Sequence, residues 1–404
     1  MKKNLILVLN CGSSSLKFSL IEPENGETVL LGLAERLLSD QASIKIKYQG
    51  QTTKSTLPSP FDHQTAILTL VEALALYKLN LQIFAIGHRV VHGGESYCTP
   101  TLVTNEVKTL IDNLSRLAPL HNFANLIGIN AAEAVFSNLP QVVVFDTAFH
   151  QTMPEKAYIY GIPYALYQEN GIRRYGFHGT SHYFVAQEAA KRLNKPLSKG
   201  NFISAHLGNG CSISAIKNGQ SVDTSLGFTP LEGVMMGTRS GDVDPGIIFY
   251  LINQLGYTTK QVSHLLHKES GLLGVSGLSN DCREIEDAWL KEKNPRAKLA
   301  LDIFCYRIAK SIASFTASLT SLDALIFTGG IGENSALIRE NIIDQLSLLN
   351  FFVSNEKNIT CRFGQAGHIN TENSRQILVI PTNEEWVIAE QTSQLLLNKL
   401  PDKE

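Results

Sequence analysis

Asn10, Lys17 and the run Gly12-Ser13-Ser14-Ser15 between them put an amide oxygen, an ammonium and several small donors within eight residues. Such a set suits a phosphate. Backbone amides of Gly and Ser converge on an anion, hydroxyls add donors, and Lys17 supplies a point charge. Asn10 offers a neutral oxygen of the kind that suits Mg²⁺ or its waters. An ordinary Ser-rich hairpin turn accounts for the same residues. A second cluster, His206-Leu207-Gly208-Asn209-Gly210-Cys211-Ser212, follows about 200 residues later, so two small-residue tips could clasp a polyphosphate. A third, Gly329-Gly330-Ile331-Gly332, would let backbone approach a nucleotide at a helix start, or is a plain structural turn. It is neither G-x-G-x-x-G nor a Walker A loop.

Positive groups stand beside glycines elsewhere. Arg89, in Gly87-His88-Arg89-Val90-Val91-His92-Gly93-Gly94-Glu95, is a candidate fork for a carboxylate or phosphate. His88 and His92 have H-x-x-x-H spacing, but the Val and Gly neighbours argue against the helix a metal pair would need. Arg173 to His182 gathers arginine, imidazole and hydroxyls, and Gly237 to Gly246 sets Arg239 between glycines with Asp242 and Asp244. A solvated surface role competes for any loop Arg. Asp146 ends a buried apolar run, where α/β proteins place function, and an N-cap is the alternative. Glu384, in Pro381-Thr382-Asn383-Glu384-Glu385-Trp386, suits a Mg²⁺ shell or the first turn of a helix.

The elements that must hold these groups follow from periodicity. Asn4–Leu9 is a nearly continuous apolar run and reads as a strand; Leu16–Ile21 alternates and reads as its hairpin partner. Phe202–Ala205 and Ile213–Ile216 repeat that pattern around the second tip, and Asn218-Gly219 signals a type I′ turn. Ile83–Ile86, Gln141–Phe145, Ala324–Phe327 and Ile377–Ile380 read as further strands. Gln64–Leu79, Ala300–Leu319 and Glu385–Leu397 read as helices, and the Gly329 cluster as a loop before another helix. Strands alternating with helices mean an α/β protein, and the duplicated hairpin suggests two related halves.

Composition sets limits. At 404 residues with 44% apolar residues, the chain exceeds what one core usually serves, which predicts two domains, taken as 1–150 and 151–385 with the helix from about 386 to 404 packing back on the first. A net charge of −2 excludes a dedicated nucleic-acid binder. Five apolar residues, Leu5–Leu9, before Asn10 are too few for a secretory core of ~7–15, and no run approaches the ~20 needed to span a bilayer. A soluble cytoplasmic protein is predicted, with no membrane or nucleic-acid partner. The six cysteines lack C-x-x-C pairs and read as reduced structural thiols.

From residue 4 to about 390 the chain resembles the acetate kinase family. The resemblance rests on Asn10-Cys-Gly-Ser-Ser-Ser-Leu-Lys17, Gly87 to Glu95, Phe145-Asp-Thr-Ala-Phe149, Arg174 to His182, His206 to Gly210, Gly237 to Gly246 and Thr328-Gly-Gly-Ile-Gly-Glu-Asn334. It implies an α/β fold of two similar ribonuclease H-like, actin-like ATPase domains flanking a nucleotide cleft. It further implies reversible transfer of the ATP γ-phosphoryl group to acetate, giving acetyl phosphate and ADP, with Mg²⁺ or Mn²⁺ and a homodimer; a propionate or short-chain acyl kinase is the alternative. Residue by residue, it implies Asn10 and Glu384 at the metal and Lys17, His206, Leu207, Gly208, Asn209 and Gly210 at the ATP phosphates. Asp281, Cys282, Arg283, Gly330, Ile331, Gly332, Glu333 and Asn334 would hold the adenosine, Cys282 at a position the family varies. Arg89 would bind the acyl carboxylate, and Val91, Leu120, Phe177 and Pro230 would line its methyl pocket. His178 and Arg239 would stabilise the transferring group, with Asp146 as the catalytic acidic residue.

Acetate is already ionised at neutral pH, with a pKa near ~4–5, so no strong base is needed. The difficulty is electrostatic: an anion must meet a polyanion in line. Asp146 is therefore expected to orient Arg89, Arg239 or the metal rather than take a proton. An ATP-driven scaffold of the same fold, which would lack a second-substrate pocket, and a metallohydrolase built on the His pairs are the rival readings.

Overall fold

The computed structural model describes residues 4–116 and 121–398. The chain forms two compact units, one from the described residues of Met1–Ala148 and Asn383–Glu404, the other Phe149–Thr382.

The first unit carries eight strands: β1 (Leu5–Gly12), β2 (Ser15–Ile21), β3 (Thr28–Glu35), β4 (Ser43–Tyr48), β5 (Gln51–Thr56), β6 (Ile83–Val90), β7 (Thr101–Leu102) and β8 (Gln141–Phe145), in the spatial order β5-β4-β3-β2-β1-β6-β8-β7. β1 through β5 form an antiparallel meander, while β6 runs parallel to β1 and β8 parallel to β6. The unbroken apolar run of β1 is explained by burial on both faces. Successive side chains alternate, so Leu5, Leu7 and Leu9 join Leu16, Phe18, Ile67 and Leu70 in one core, while Ile6 and Val8 meet Ile388 and Ala389 in another. Ile388 and Ala389 belong to helix Glu384–Leu397, which opens on Asn383, whose Oδ1 accepts from the Trp386 N–H at 3.1 Å. Gly87 is what allows that helix so close: a Cβ there would lie 2.7 Å from Ile388 Cγ2 and from Thr392 Oγ1.

The second unit repeats the pattern with β9 (Phe202–Leu207), β10 (Cys211–Lys217), β11 (Gln220–Thr224), β12 (Ala324–Thr328), β13 (Gly367–His368) and β14 (Gln376–Val379), ordered β11-β10-β9-β12-β14-β13. Again three antiparallel strands lead into two parallel ones, so β3-β2-β1-β6-β8 and β11-β10-β9-β12-β14 share order and direction. Asn218 and Gly219 both have positive φ, 53° and 75°, as a type I′ turn requires. Helix Pro295–Phe315 begins with Asn294 Oδ1 accepting from the Arg296 and Ala297 amides, and buries Ala297, Leu301, Phe304, Ile308 and Ile312 at helical spacing.

Two elements differ from the sequence reading. β6 continues four residues past Ile86, placing His88 and Arg89 on a strand, because β1 and β8 pair with it on both sides. The Gly329 cluster is itself a short helix, Gly329–Asn334, entered directly from β12. Its own Glu333 side chain folds back on its first turn: Oε1 accepts from the Gly329 amide at 3.0 Å, offsetting the poor helix propensity of glycine. Among the described residues no helix is long and apolar enough to cross a membrane.

Candidate active site

In the first unit the parallel pairing of β6 with β8 brings Arg89 to Asp146. Arg89 Nε donates to Asp146 Oδ1 at 3.0 Å and Nη2 to Oδ2 at 2.5 Å, a two-point ion pair. The Asp146 side chain is 1% exposed and that of Arg89 22%. Asp146 is thus a charge partner and not a helix cap. Arg89 Nη1 also reaches Asn10 Oδ1 at 3.4 Å. Burial opposes the guanidinium charge, but Asp146 and then Glu384 more than offset it, so Arg89 holds its proton more firmly than a free arginine.

Glu384 is half-buried beside this pair, and its buried Oε1 has no hydrogen-bond partner among the described residues. Burial raises its pKa to about 7; Arg89 pulls it down and Asp146 pushes it back up. Asn383 caps the helix and Glu384 stands in its first turn, as the alternative reading expected. A buried, unpartnered carboxylate oxygen is a donor suited to a hard cation. Lys17, 55% exposed, is ion-paired to Glu385.

Two asparagines that sequence reasoning passed over hold this corner together. Asn125 Oδ1 accepts from the Val91 amide at 3.1 Å while its Nδ2 donates to the Cys11 carbonyl at 2.8 Å. Asn122 accepts from the His92 amide at 3.0 Å and donates to the His92 carbonyl at 2.9 Å. Their signal was the i, i+3 spacing on one face of helix Asn122–Val135. His88 is buried, donates to Gln141 Oε1 at 2.6 Å, and has its pKa lowered by burial to about 4. His92 Nδ1 accepts from the Gly94 amide, so the two imidazoles serve separate backbone and side-chain partners. Among the described residues no three His, Cys, Asp or Glu side chains form a metal cluster. Val91 follows β6 and is 8% exposed; Leu120 lies outside the described residues.

In the second unit, His178 takes a left-handed conformation (φ 58°) immediately before helix Gly179–Arg192. Its ring stacks on that of His206, centroids 4.4 Å apart. Arg239 Nη1 donates to the Pro230 carbonyl at 2.8 Å, and Arg239 has no carboxylate partner among the described residues. Burial lowers its pKa. A Cβ at Gly210 would lie 3.4 Å from Arg239 Nη2 and 3.5 Å from His178 Cε1, so both side chains converge on that glycine. Phe177 is buried, and its carbonyl accepts from His150 Nε2 at 3.0 Å.

The remaining predicted contacts lie on three segments of this unit. Gly208 and Gly210 close the β9–β10 tip through a 3.1 Å backbone bond, and Leu207 turns its side chain into the core. Asn209 stands exposed at the tip and is tied to the next segments: its Oδ1 accepts from Asn280 at 3.0 Å and its carbonyl from the Gly237 amide. Asp281 caps helix Cys282–Leu290 and pairs with Arg283, whose hydrogen bond lowers the Asp281 pKa. Cys282 is turned inward, its thiol pushed up by burial and by Glu286. Gly330 is open to solvent, with nothing near a Cβ position, and Ile331 is half-buried. Gly332 and Glu333 have their carbonyls held by Arg339 Nη1 at 2.8 and 2.9 Å. Asn334 Nδ2 donates to the Gly330 carbonyl at 2.9 Å. The Glu333 carboxylate accepts from the Gly329 and Thr382 amides, which makes it a brace of this segment. A cavity of about 460 Å³ between Arg174, Glu232, Asp242, Arg307 and Lys310 contains none of the predicted site residues. Its charges largely answer one another, as in the 2.6 Å Arg174–Glu232 pair.

Comparison with known proteins bears on this arrangement. The sequence model of the acetokinase family matches residues 5–390. An acetate kinase of Shewanella sp. (strain ANA-3) is 55% identical over 398 residues, 98% of this chain and 100% of that protein. Among solved structures, the Porphyromonas gingivalis acetate kinase is 42% identical, covering 97% of this chain and 100% of that one, with a TM-score of 0.92. A propionate kinase from Francisella tularensis subsp. tularensis SCHU S4 is 45% identical, covering 97% and 99%, also at 0.92.

Proposed function

The chain belongs to the acetokinase family, and from that premise we propose how its residues move a phosphoryl group between ATP and acetate. It is a kinase with a carboxylate acceptor: ATP and acetate give ADP and acetyl phosphate, reversibly. The reading is carried by one observation, an arginine without a carboxylate partner, Arg239, converging with His178 on Gly210. Such a group has charge to give to a developing phosphoryl anion.

In the first unit, Arg89 receives the acetate carboxylate. Asp146 holds the guanidinium plane, which supports an orienting role over proton removal. Asn10 and Glu384 would hold Mg²⁺, or Mn²⁺, which when bound neutralises polyphosphate charge. Their oxygen donors and the unpartnered Glu384 Oε1 fit that ion. Lys17 exchanges Glu385 for phosphate. In the second unit, the tip from His206 to Gly210 meets the phosphates, the Asp281 and Gly330 segments hold adenosine, and His178 and Arg239 stabilise an in-line transfer. Val91, Phe177 and Pro230, with Leu120, limit the acyl chain. We assign the enzyme to the cytoplasm, which its six free cysteines support. We also propose a homodimer. Helix Pro245–Asn253 buries none of its residues, though Ile247, Phe249 and Tyr250 are 47%, 63% and 58% exposed, a face suited to a second copy.

The test is acetate-dependent ADP formation with a panel of short-chain acids. One methylene is worth ~1–3 kcal/mol, so kcat/KM for acetate should exceed that for propionate by about 10- to 200-fold. Equal values would defeat the assignment of the pocket residues.

A further inference from the structure

Behind His178 lies a buried chain of hydroxyls and imidazoles to which no role is yet attached. Ser212 Oγ sits 2.8 Å from His178 Nδ1 and 2.7 Å from His182 Nε2. His182 Nδ1 in turn lies 2.6 Å from Ser204 Oγ. Ser204, Ser212 and His182 are each 0% exposed. We propose that His182, acting through Ser212, is a positioning residue that fixes the tautomer of His178, so that Nε2 carries the hydrogen offered to the phosphoryl group. The inference rests on His178 meeting that group.

Counting donors fixes the direction of the chain. A serine hydroxyl has a single hydrogen, and a neutral imidazole has one N–H and one acceptor nitrogen. Among the described residues, the sole partner of the Ser204 hydroxyl is His182 Nδ1. Its hydrogen must go there, since a buried O–H without an acceptor is strongly disfavoured. His182 is neutral: burial holds its pKa well below the ordinary imidazole range, with His150 and His206 adding to the effect. With Nδ1 accepting, His182 carries its hydrogen on Nε2 and donates it to Ser212 Oγ. Ser212 then has one hydrogen and one remaining acceptor, His178 Nδ1. A neutral His178 is left with its hydrogen on Nε2. The opposite tautomer would present a lone pair to a phosphoryl oxygen, and His178 Nδ1–H would then point at Ser212 Oγ, leaving the hydrogen of Ser212, or that of Ser204 if the chain reverses, without an acceptor.

The relay can be read directly in the intact enzyme by ¹⁵N imidazole spectra above neutral pH, with His178 assigned by its loss in His178→Gln. The expected spectrum shows Nδ1 of His178 as an unprotonated, hydrogen-bonded nitrogen and Nε2 as N–H; a protonated Nδ1 in the neutral ring overturns the proposal. Ser212→Ala should lower kcat by about 10- to 100-fold, with KM for acetate and ATP within about threefold. Ser212→Thr, which keeps the hydroxyl, should restore most of the loss. An unchanged kcat in Ser212→Ala, or failure of threonine to rescue a folded protein, counts against the relay. The wild-type spectrum decides even if the alanine variant does not fold. His178→Ala separately tests the premise: full activity there would remove the role of His178 while leaving the spectrum as evidence on the hydrogen-bond chain.

Discussion

Arg89 and Arg239 present two ways to hold a guanidinium at a proposed anion site. Arg89, in the first unit, is neutralised in advance by a two-point contact with Asp146. Arg239, in the second, has among the described residues only the Pro230 carbonyl and a methionine sulfur as partners, and burial weakens its hold on the proton. A paired guanidinium is held rigidly and can bind a small carboxylate without overwhelming it. An unpaired one is held at some expense of stability and exerts its full field on charge that appears only during transfer. The polar surroundings follow suit: ion pairs around Arg89, and Ser–His hydrogen bonds around His178.

The comparison breaks first at Asp146. Asp146→Ala strips a largely buried arginine of its partner and should destabilise the first unit by about 3–5 kcal/mol, read as a lowered urea midpoint; an unchanged midpoint would mean that Glu384 or solvent already satisfies Arg89. Arg239→Ala should do the reverse, with stability kept or slightly raised and kcat down by about 10²–10³. If acetate KM rises while kcat holds, Arg239 belongs to ground-state binding.

Acid should separate the units more gently. His88 in the first unit and His150 in the second are buried and neutral, with pKa lowered from 6.5 to about 4 by burial, and His182 in the second lies well below 6.5 for the same reason. The unfolded chain binds protons that the folded one refuses, so stability falls as pH drops from about 6.5 towards 4. Each such histidine contributes at most about 1.4 kcal/mol per pH unit. With two of them against one, the second unit should lose hydrogen-exchange protection more steeply. Equal slopes would argue against a neutral His182. The smallest effect belongs to the exposed Lys17–Glu385 pair: Glu385→Gln should change stability by less than ~1 kcal/mol while lowering KM for ATP modestly, since Lys17 no longer has to leave a partner.

Much of this was legible in the sequence where local pattern and tertiary outcome agree. The β1 run, the two hairpins with their small-residue tips and the Asn218-Gly219 turn all follow from periodicity and turn chemistry. The α/β class follows from strands alternating with helices. What escaped is held by partners distant in sequence. Gly87, His88 and Arg89 carry no strand signal, yet β1 and β8 draw them into β6. Glycines predict a loop at 329–332, yet Glu333 caps a helix there and the fully buried Arg339 gathers its carbonyls. Arg89 and Asp146 were each visible as candidates, but their pairing across 57 positions was not. Ser204 reads as an ordinary strand residue and Ser212 as the end of the second tip, until His182 is placed between them.

The helix Glu384–Leu397 covers Ile6, Val8, Ala85 and Val144 through Ile388 and Ala389, although in the sequence all of the second unit, Phe149–Thr382, comes between those strands and that helix. During synthesis, then, the earliest strand to emerge waits longest for its packing partner, with an apolar face open to water while more than two hundred residues are added. The second unit, contiguous along the chain, can fold as soon as it is made. Newborn chains are accordingly most prone to clumping just before the final helix emerges, and that interval is when a holding chaperone would find the most to bind.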